Sequence, residues 1–464
     1  MKELVQGFHG KLKRLKRSTR QDERTAFPSP RTIRERLRPW YLRNVFFPLF
    51  PAGKPAYFDA PWSYPNHLLV SPLHTDAEKL RPMLSVSQGY DFLFLPMSDW
   101  HFRLQRPQFL MQALAARGHR CFFLNPHLGR QFPGARIPSP RIGRLGPNLF
   151  ELHVRLPLEP VYHHRMLHPE ESLILADAVE NLRQIGVIPR FMQVVGSPVW
   201  GPAAQLIRQR SGSPIVYDCH DLITGLSSTH TSIQYEEAAM ISASDFVVCS
   251  SMALRDHCLK LGASPARTAV IRNAARPQPH EPAQVNSQPC HQPPRIGYVG
   301  ALEDWFDVAS LREAAVARPG WKFLLAGRRE SRHLDEIRRL PNVEFCGEIP
   351  ADKVPSFLAG LDVALIPFLL TDLTRAVDPI KLYEYLSAGI PVVASRLPET
   401  FRFAPLLHYY EGASDFVGAI EGALADRSTG RSSNRREAVA NETWDARAGE
   451  LLNCAAAVFD NQAG

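Results

Sequence analysis

The stretch Asp378-Pro-Ile-Lys-Leu-Tyr-Glu-Tyr-Leu-Ser-Ala-Gly-Ile-Pro-Val-Val-Ala-Ser395 decides how this chain is read, because it joins a short capped helix directly to a buried strand. Asp378 is of a type that N-caps, Pro379 suits a first helical position that needs no donor, and Gly389 is placed to end the helix left-handed. The strand Pro391 to Ala394 follows at once. Free amides and the positive end of the helix dipole would converge on the first turn, where Lys381 adds a full charge. Lys381 and Glu384 lie three apart on one face, while Leu382 and Leu386 point to another. Spacing alone leaves two readings open: an anion-binding helix start, or an ordinary surface helix of an α/β domain with an i,i+3 ion pair.

Outward from this stretch, short apolar runs alternate with helical stretches from about Asp91 onward, the pattern of parallel α/β units. It predicts strands at 91–96, 120–125, 149–154, 191–196, 214–219, 246–250 and 268–272, and a second set at 295–299, 322–326, 343–346, 363–367, 391–394 and 407–410. Between the sets, Ala275 to Pro294 carries six prolines and few large apolar residues, so it forms neither a helix nor a central strand. The predicted class is α/β: two Rossmann-like domains with parallel sheets facing across a cleft. The expected divisions are a basic N-terminal extension (1–85), a first domain (86–276), a proline-rich linker (277–294), a second domain (295–430) and a C-terminal segment (431–464) that is helical over 437–459.

With 464 residues and 45% hydrophobic content, the chain is long enough for two or three domains with their own cores. Its seven cysteines are scattered at 121, 219, 249, 258, 290, 346 and 454, with no Cys-x-x-Cys pair and no Cys/His spacing typical of zinc, as in a reducing compartment. There is no run of about 18 apolar residues and no basic-then-apolar start, so the expected location is the cytoplasm. The net charge of +8 is uneven: residues 1–44 hold thirteen Lys/Arg against four Asp/Glu, a balance of +9, which leaves −1 for the remainder. In this arm Lys11-Leu-Lys-Arg-Leu-Lys-Arg17 and Arg31-Thr-Ile-Arg-Glu-Arg-Leu-Arg38 precede the aromatic run Pro39 to Phe50. That order suits peripheral contact with an anionic membrane surface; a solvated tail and an arm folded onto the protein are the competing readings. No aromatic-basic stacking motif for RNA appears, so nucleic acid is not an expected partner.

The phrase from Pro379 to Val393 resembles the nucleotide-sugar segment of retaining glycosyltransferases with the two-domain GT-B fold, of the large family numbered four. The resemblance covers roughly residues 90–460 and implies an enzyme that moves a sugar from a nucleotide-diphosphate sugar to a hydroxyl acceptor with retention. Its bacterial character implies a saccharide or lipid-linked acceptor in cell-surface polysaccharide or glycolipid synthesis. In that family two glutamates separated by seven residues contact the donor, the first on the sugar and the second on the ribose. Glu384 matches the second; Ala376 stands at the first position, and Asp378 is the nearest acid. The family also implies a C-terminal helix crossing back to the first domain, and Thr443-Trp-Asp-Ala-Arg447 resembles its start.

The other candidates sit in loops after strands, where sheets of this kind bind ligands. Gly300 and Ala301, in Ile296-Gly-Tyr-Val-Gly-Ala-Leu-Glu-Asp-Trp-Phe-Asp307, allow close backbone approach to a diphosphate. The family follows that glycine with an arginine and later a lysine; here Leu302, Glu303 and Asp304 stand instead. The cationic role passes to Arg328, Arg375 and Lys381, with Pro379, Ile380 and Leu382 completing the donor segment. Met97-Ser-Asp-Trp-His-Phe-Arg-Leu-Gln-Arg-Pro-Gln108 resembles a bacterial subgroup with a tryptophan, then Gln-Arg-Pro-Gln, then a helix ending Arg-Gly-His. It makes Ser98, Asp99, Trp100, His101, Arg103 and Arg106 candidates for the acceptor and the donor phosphates; alternatively, Trp100 and Arg106 only fix the loop. His220 and Asp221, in Val216-Tyr-Asp-Cys-His-Asp-Leu222, end a strand where the family often has a His-Asp pair, and with Asp378 they are the catalytic candidates.

A leaving diphosphate needs its growing charge stabilised, and the helix start with Lys381, Arg375 and Arg328 would do so without metal or other cofactor. No Asp-x-Asp occurs, which argues against metal-dependent single-domain glycosyltransferases. The absence of any Gly-x-Gly pair argues against a nicotinamide or flavin oxidoreductase, and Walker-type and Gly-x-Ser-x-Gly motifs are likewise missing. The remaining alternative from a different class is a catalytically inactive GT-B-fold binding or scaffold protein.

Overall fold

The computed structural model describes residues 71–72, 89–98, 100, 104–125, 141–154, 156, 165–226, 231–276, 291–329, 331–426 and 431–463. The basic arm at 1–44, with its membrane-contact reading, and three candidates, Asp99, His101 and Arg103, lie outside the described residues, as does most of the linker.

The first sheet comprises β1 (Ser71–Pro72), β2 (Asp91–Leu95), β3 (Arg120–Asn125), β4 (Arg141–Gly146), β5 (Leu149–His153), β6 (Phe191–Val195), β7 (Ile215–Cys219), β8 (Phe246–Cys249) and β9 (Thr268–Val270). Its order is β1-β4-β5-β3-β2-β6-β7-β8-β9. The second comprises β10 (Arg295–Val299), β11 (Lys322–Ala326), β12 (Val343–Gly347), β13 (Val363–Ile366), β14 (Val392–Ser395) and β15 (Leu407–Tyr410), in the order β12-β11-β10-β13-β14-β15. The second order is the doubly wound 3-2-1-4-5-6, and β5-β3-β2-β6-β7-β8 repeats it in the first sheet. All pairings in the second sheet are parallel.

Strands such as Asp91-Phe-Leu-Phe-Leu95 are buried along their whole length, as parallel strands covered on both faces must be, which is why they read as unbroken apolar runs. Each predicted strand has a counterpart. The sheet differs from a purely parallel one at its edge, where β4 runs antiparallel to both β5 and β1. Arg141-Ile-Gly-Arg-Leu-Gly146 carries two glycines and two arginines and has little intrinsic strand preference; its pairing with the buried Leu149-Phe-Glu-Leu-His153 supplies what the local sequence lacks.

Three helices position the cleft: α1 (Arg106–Ala116), α2 (Ile380–Ser387) and α3 (Trp444–Ala463). The predicted C-terminal helix is interrupted, with Ser432–Ala438 forming a separate short helix before α3. Thr443 caps α3 by accepting from the Ala446 amide at 3.1 Å. The helix then packs on α1 of the first domain, with Trp444 stacked on Phe109 at 5.0 Å between ring centroids. Among the described residues no helix is long and apolar enough to cross a membrane.

Candidate active site

A cavity of about 340 Å³ opens between the carboxyl ends of the two sheets. Arg106, His220 and Asp221 line it from the first domain, Asn273 and Arg276 from the hinge, and Tyr298 to Ala301, Trp305, Phe368, Asp378 to Lys381 and Glu384 from the second. In the second sheet β10 and β13 flank the reversal of strand order, the crevice where such folds bind ligands.

The loop after β10 is held by its neighbours. The Tyr298 hydroxyl donates to the Ala301 carbonyl at 2.8 Å, and the Val299 amide donates to the Tyr385 hydroxyl at 3.0 Å, so α2 and the strand end are tied together. Gly300 has φ +150°, and a Cβ there would meet the Tyr298 hydroxyl at 2.8 Å and Lys381 Cε at 3.0 Å. Gly327, at φ +148°, is tighter: a Cβ would lie 1.7 Å from the Gly300 carbonyl oxygen. Gly327→Ala should therefore displace the Gly300 loop; the expected result is loss of nucleotide affinity by tenfold or more, on the order of 1.4 kcal/mol, measured by calorimetry on folded protein.

On α2, Lys381 lies with its ammonium 4.9 Å from the Phe368 ring centroid and 5.5 Å from that of Tyr298. These rings hold the charge beside the helix start. Glu384 is 6% exposed, and burial raises its carboxyl above the ordinary range against the opposing pull of Arg276 and Lys381. Arg276 Nε stands 2.9 Å from Glu384 Oε1. The two groups form an ion pair, and the carboxylate keeps lone pairs that can accept from a ligand in the cavity.

The start of α2 differs from the sequence reading. Pro379 is the N-cap and Ile380 the first helical residue, so Asp378 does not cap. Its carboxylate instead accepts from the Asn273 amide at 2.7 Å and the Tyr383 hydroxyl at 2.9 Å. Asn273 returns a side-chain bond to the Asp378 carbonyl at 2.6 Å, so hinge and helix are stitched from both sides. Burial pushes the Asp378 carboxyl up to about 6, with those two donors pulling it back. As a catalytic candidate Asp378 thus has both oxygens engaged in structure. Gly389 ends the helix at φ +76° as read, and a Cβ there would strike Ser432 Oγ at 2.1 Å.

In the first domain, Arg106 is 2% exposed and its Nε donates to both Asp218 oxygens at 3.0 and 3.1 Å. Its Nη1 reaches the Arg272 carbonyl and Asn273 Oδ1, each at 3.2 Å. Arg106 borders the cavity, with Nε and Nη1 engaged in fixing β7 and the hinge. His220 Nδ1 lies 2.9 Å from the Asp218 carbonyl, which can only accept, so Nδ1 carries the proton and Nε2 is the ring atom left for a ligand. At Asp221 burial pushes the carboxyl up while His220 opposes it.

The structure does not bring every candidate to the cavity. Arg375 is exposed and Arg328 half-buried, and neither lines it; Leu382 is buried in the second domain's core. Trp100 is buried edge-on against Phe123 at 5.1 Å, consistent with the loop-fixing reading, and Ser98 lies outside the lining. Ala376 packs with the first domain's apolar cluster, so a carboxylate at that position would be buried among hydrocarbon. Sequence reasoning missed Asn273, Arg276, Trp305 and Phe368, all of which line the cavity. The available signal was that Asn273 and Arg276 follow a strand at its carboxyl end, the position class that pointed to His220.

Known proteins match this architecture. The sequence matches the family described as Glycosyltransferase Family 4 over residues 108–278 and that described as Glycosyl transferases group 1 over 293–426. The two matches fall on the first and the second sheet domain respectively, and the fold is that of GT-B structures. A curated relative, the putative teichuronic acid biosynthesis glycosyltransferase TuaH of Bacillus subtilis (strain 168), is 28% identical over 263 residues, or 51% of this chain and 65% of its own. The match thus spans less than two thirds of that relative's length. Among solved structures, sucrose-phosphate synthase from Thermosynechococcus elongatus aligns over 81% of this chain and all of its own with a TM-score of 0.63 and 17% identity. Anabaena HepE, solved with UDP-glucose, aligns over 79% of this chain and all of its own with a TM-score of 0.55 and 14% identity.

Proposed function

We propose that this protein transfers a sugar from a nucleoside-diphosphate sugar to a hydroxyl of a saccharide or lipid-linked acceptor, with retention at the anomeric carbon, in assembly of a bacterial cell-surface polysaccharide or glycolipid. The observation that carries the reading is Glu384: a buried carboxylate, ion-paired with Arg276, on a cavity that also holds a lysine and a helix start. A ribose diol donates to the lone pairs that Arg276 leaves open, and the diphosphate then falls toward Lys381 and the positive end of α2. The glycine at 300 admits the diphosphate close to the backbone.

As the sugar-phosphate bond breaks, charge grows on the departing diphosphate, and Lys381 with the helix dipole stabilises it where it forms. The departing phosphate takes the acceptor proton, and His220, with its Nε2 uncommitted, orients the acceptor from the opposite wall. In this reading Lys381 and the helix start carry the leaving charge without a metal. The likeness to TuaH supports the polymer class, and the likeness to HepE in its UDP-glucose complex supports the donor class.

Incubation with a panel of nucleotide sugars tests this. The expected result is slow release of nucleoside diphosphate from one donor without acceptor, faster with it, unchanged by EDTA and lowered at least tenfold in Glu384→Ala. Binding without turnover for every donor and acceptor would instead make the protein a scaffold that kept the fold.

A further inference from the structure

Arg276 is a cation of the cavity that the sequence reading passed over. It enters the cavity from the hinge, six residues beyond β9, and three separate elements fix it. Its Nη1 donates to the Ala351 carbonyl of the second domain at 2.9 Å, its guanidinium carbon lies 5.1 Å from the ring centroid of Phe109 on α1, and its Nε faces Glu384. We propose that Arg276 is a positioning residue for the donor: from the hinge it keeps the Glu384 carboxylate ionised and turned toward the cavity, so that the ribose is recognised only when the hinge is in register with both domains. This rests on the donor reading given above.

The arrangement has a physical logic. A carboxylate buried without a counter-charge takes up a proton, and a protonated Glu384 would offer the ribose a poorer acceptor. The charged groups acting on it are Arg276 from the hinge and Lys381 from its own helix, and both hold its carboxyl down against burial. When a diphosphate engages Lys381, Arg276 becomes the cation left to keep Glu384 ionised. A carboxylate offers about four lone-pair sites, so the Arg276 contact at one oxygen leaves acceptor capacity for the ribose. The stack on Phe109 meanwhile couples the guanidinium to the first domain, so a displaced hinge would withdraw it.

Calorimetric titration of the full chain with UDP, GDP and ADP at about pH 6 and about pH 8.5 tests the inference, with affinities of Arg276→Gln and Arg276→Lys taken as ratios to the unsubstituted protein at each pH so that titration of the nucleotide's own phosphate cancels. The expected result is that Arg276→Gln loses about tenfold more affinity at the lower pH than at the higher, because removing a close cation raises a carboxyl by one or more units, while Arg276→Lys keeps a flat ratio. A loss in Arg276→Gln that is equal at both pH values, or no loss, would overturn the positioning role while leaving the donor site standing. If Arg276→Gln does not fold, Arg276→Lys decides: a pH-dependent ratio in that charge-preserving variant contradicts the account. If the unsubstituted protein binds none of the three nucleotides, the donor reading fails and this inference with it.

Discussion

Replacing Lys381 with alanine is expected to lower kcat/KM for glycosyl transfer by about 10² to 10³, the scale on which one preorganised group that stabilises a developing anion acts. The loss should fall mainly on kcat, because the charge that Lys381 meets grows as the diphosphate leaves. The fold should survive: Lys381 is only half-buried, and its packing on Phe368 and Tyr298 is a cation-π contact whose removal costs on the order of 1 kcal/mol. Steady-state release of nucleoside diphosphate checks the effect, and a variant with unchanged kcat would place the departing group elsewhere. Arginine at 381 would keep the charge but would have to fit its planar group between the same rings, so only partial recovery is expected.

The second large effect concerns Asp378. Asp378→Ala strands two buried donors, the Asn273 amide and the Tyr383 hydroxyl, each at a cost of about 1–3 kcal/mol. The loss should appear as a lower denaturation midpoint and as weakened nucleotide binding, since the same bonds align the hinge with α2. The neighbourhood extends the damage: Arg402 donates to the Tyr383 hydroxyl at 3.2 Å and pairs with Glu442 at 2.6 Å, and Glu442 in turn pairs with Arg447. The pH dependence has a definite sign. Burial raises the Asp378 carboxyl from its ordinary 3.8 to about 6, so the folded state holds the proton more tightly than the unfolded chain. That contribution is fully present below the unfolded value and is lost as pH rises through about 6. Asp378→Asn, which keeps one acceptor and cannot ionise, should lose less stability than the alanine variant and should lack this fall between about pH 4 and pH 6. Denaturation midpoints across that range distinguish the two; an identical slope in Asp378→Asn and the unsubstituted protein would contradict the assignment.

What could be read from the sequence was local. Parallel strands buried on both faces announce themselves as apolar runs, so Phe92 to Leu95 or Val392 to Ala394 needed no tertiary information. Gly389 ended its helix as read because a left-handed residue packed against Ser432 leaves no room for a Cβ. What failed was set by contacts between residues far apart in sequence. Asp378 is a good capping residue by type, but Asn273, 105 positions earlier, claims its carboxylate and moves the helix start to Ile380. Arg106 reaches the cavity as read, but its pairing with Asp218, 112 positions away, could not be read from the local sequence. Strand β4 has weak intrinsic preference and exists because β5 is beside it. Ala376 marks the same limit from the other side: its position as the absent first glutamate was visible in the sequence, while the apolar surroundings that suit alanine there emerged only in the fold.

The most direct test of the account is a crystal structure of the protein with the nucleoside diphosphate that it binds most tightly among UDP, GDP, ADP and dTDP. The account predicts the ribose hydroxyls within hydrogen-bond distance of Glu384 and the β-phosphate between Lys381, the start of α2 and the Gly300 loop. A nucleotide bound in another cleft, or in this one with its phosphates turned away from Lys381, would contradict it.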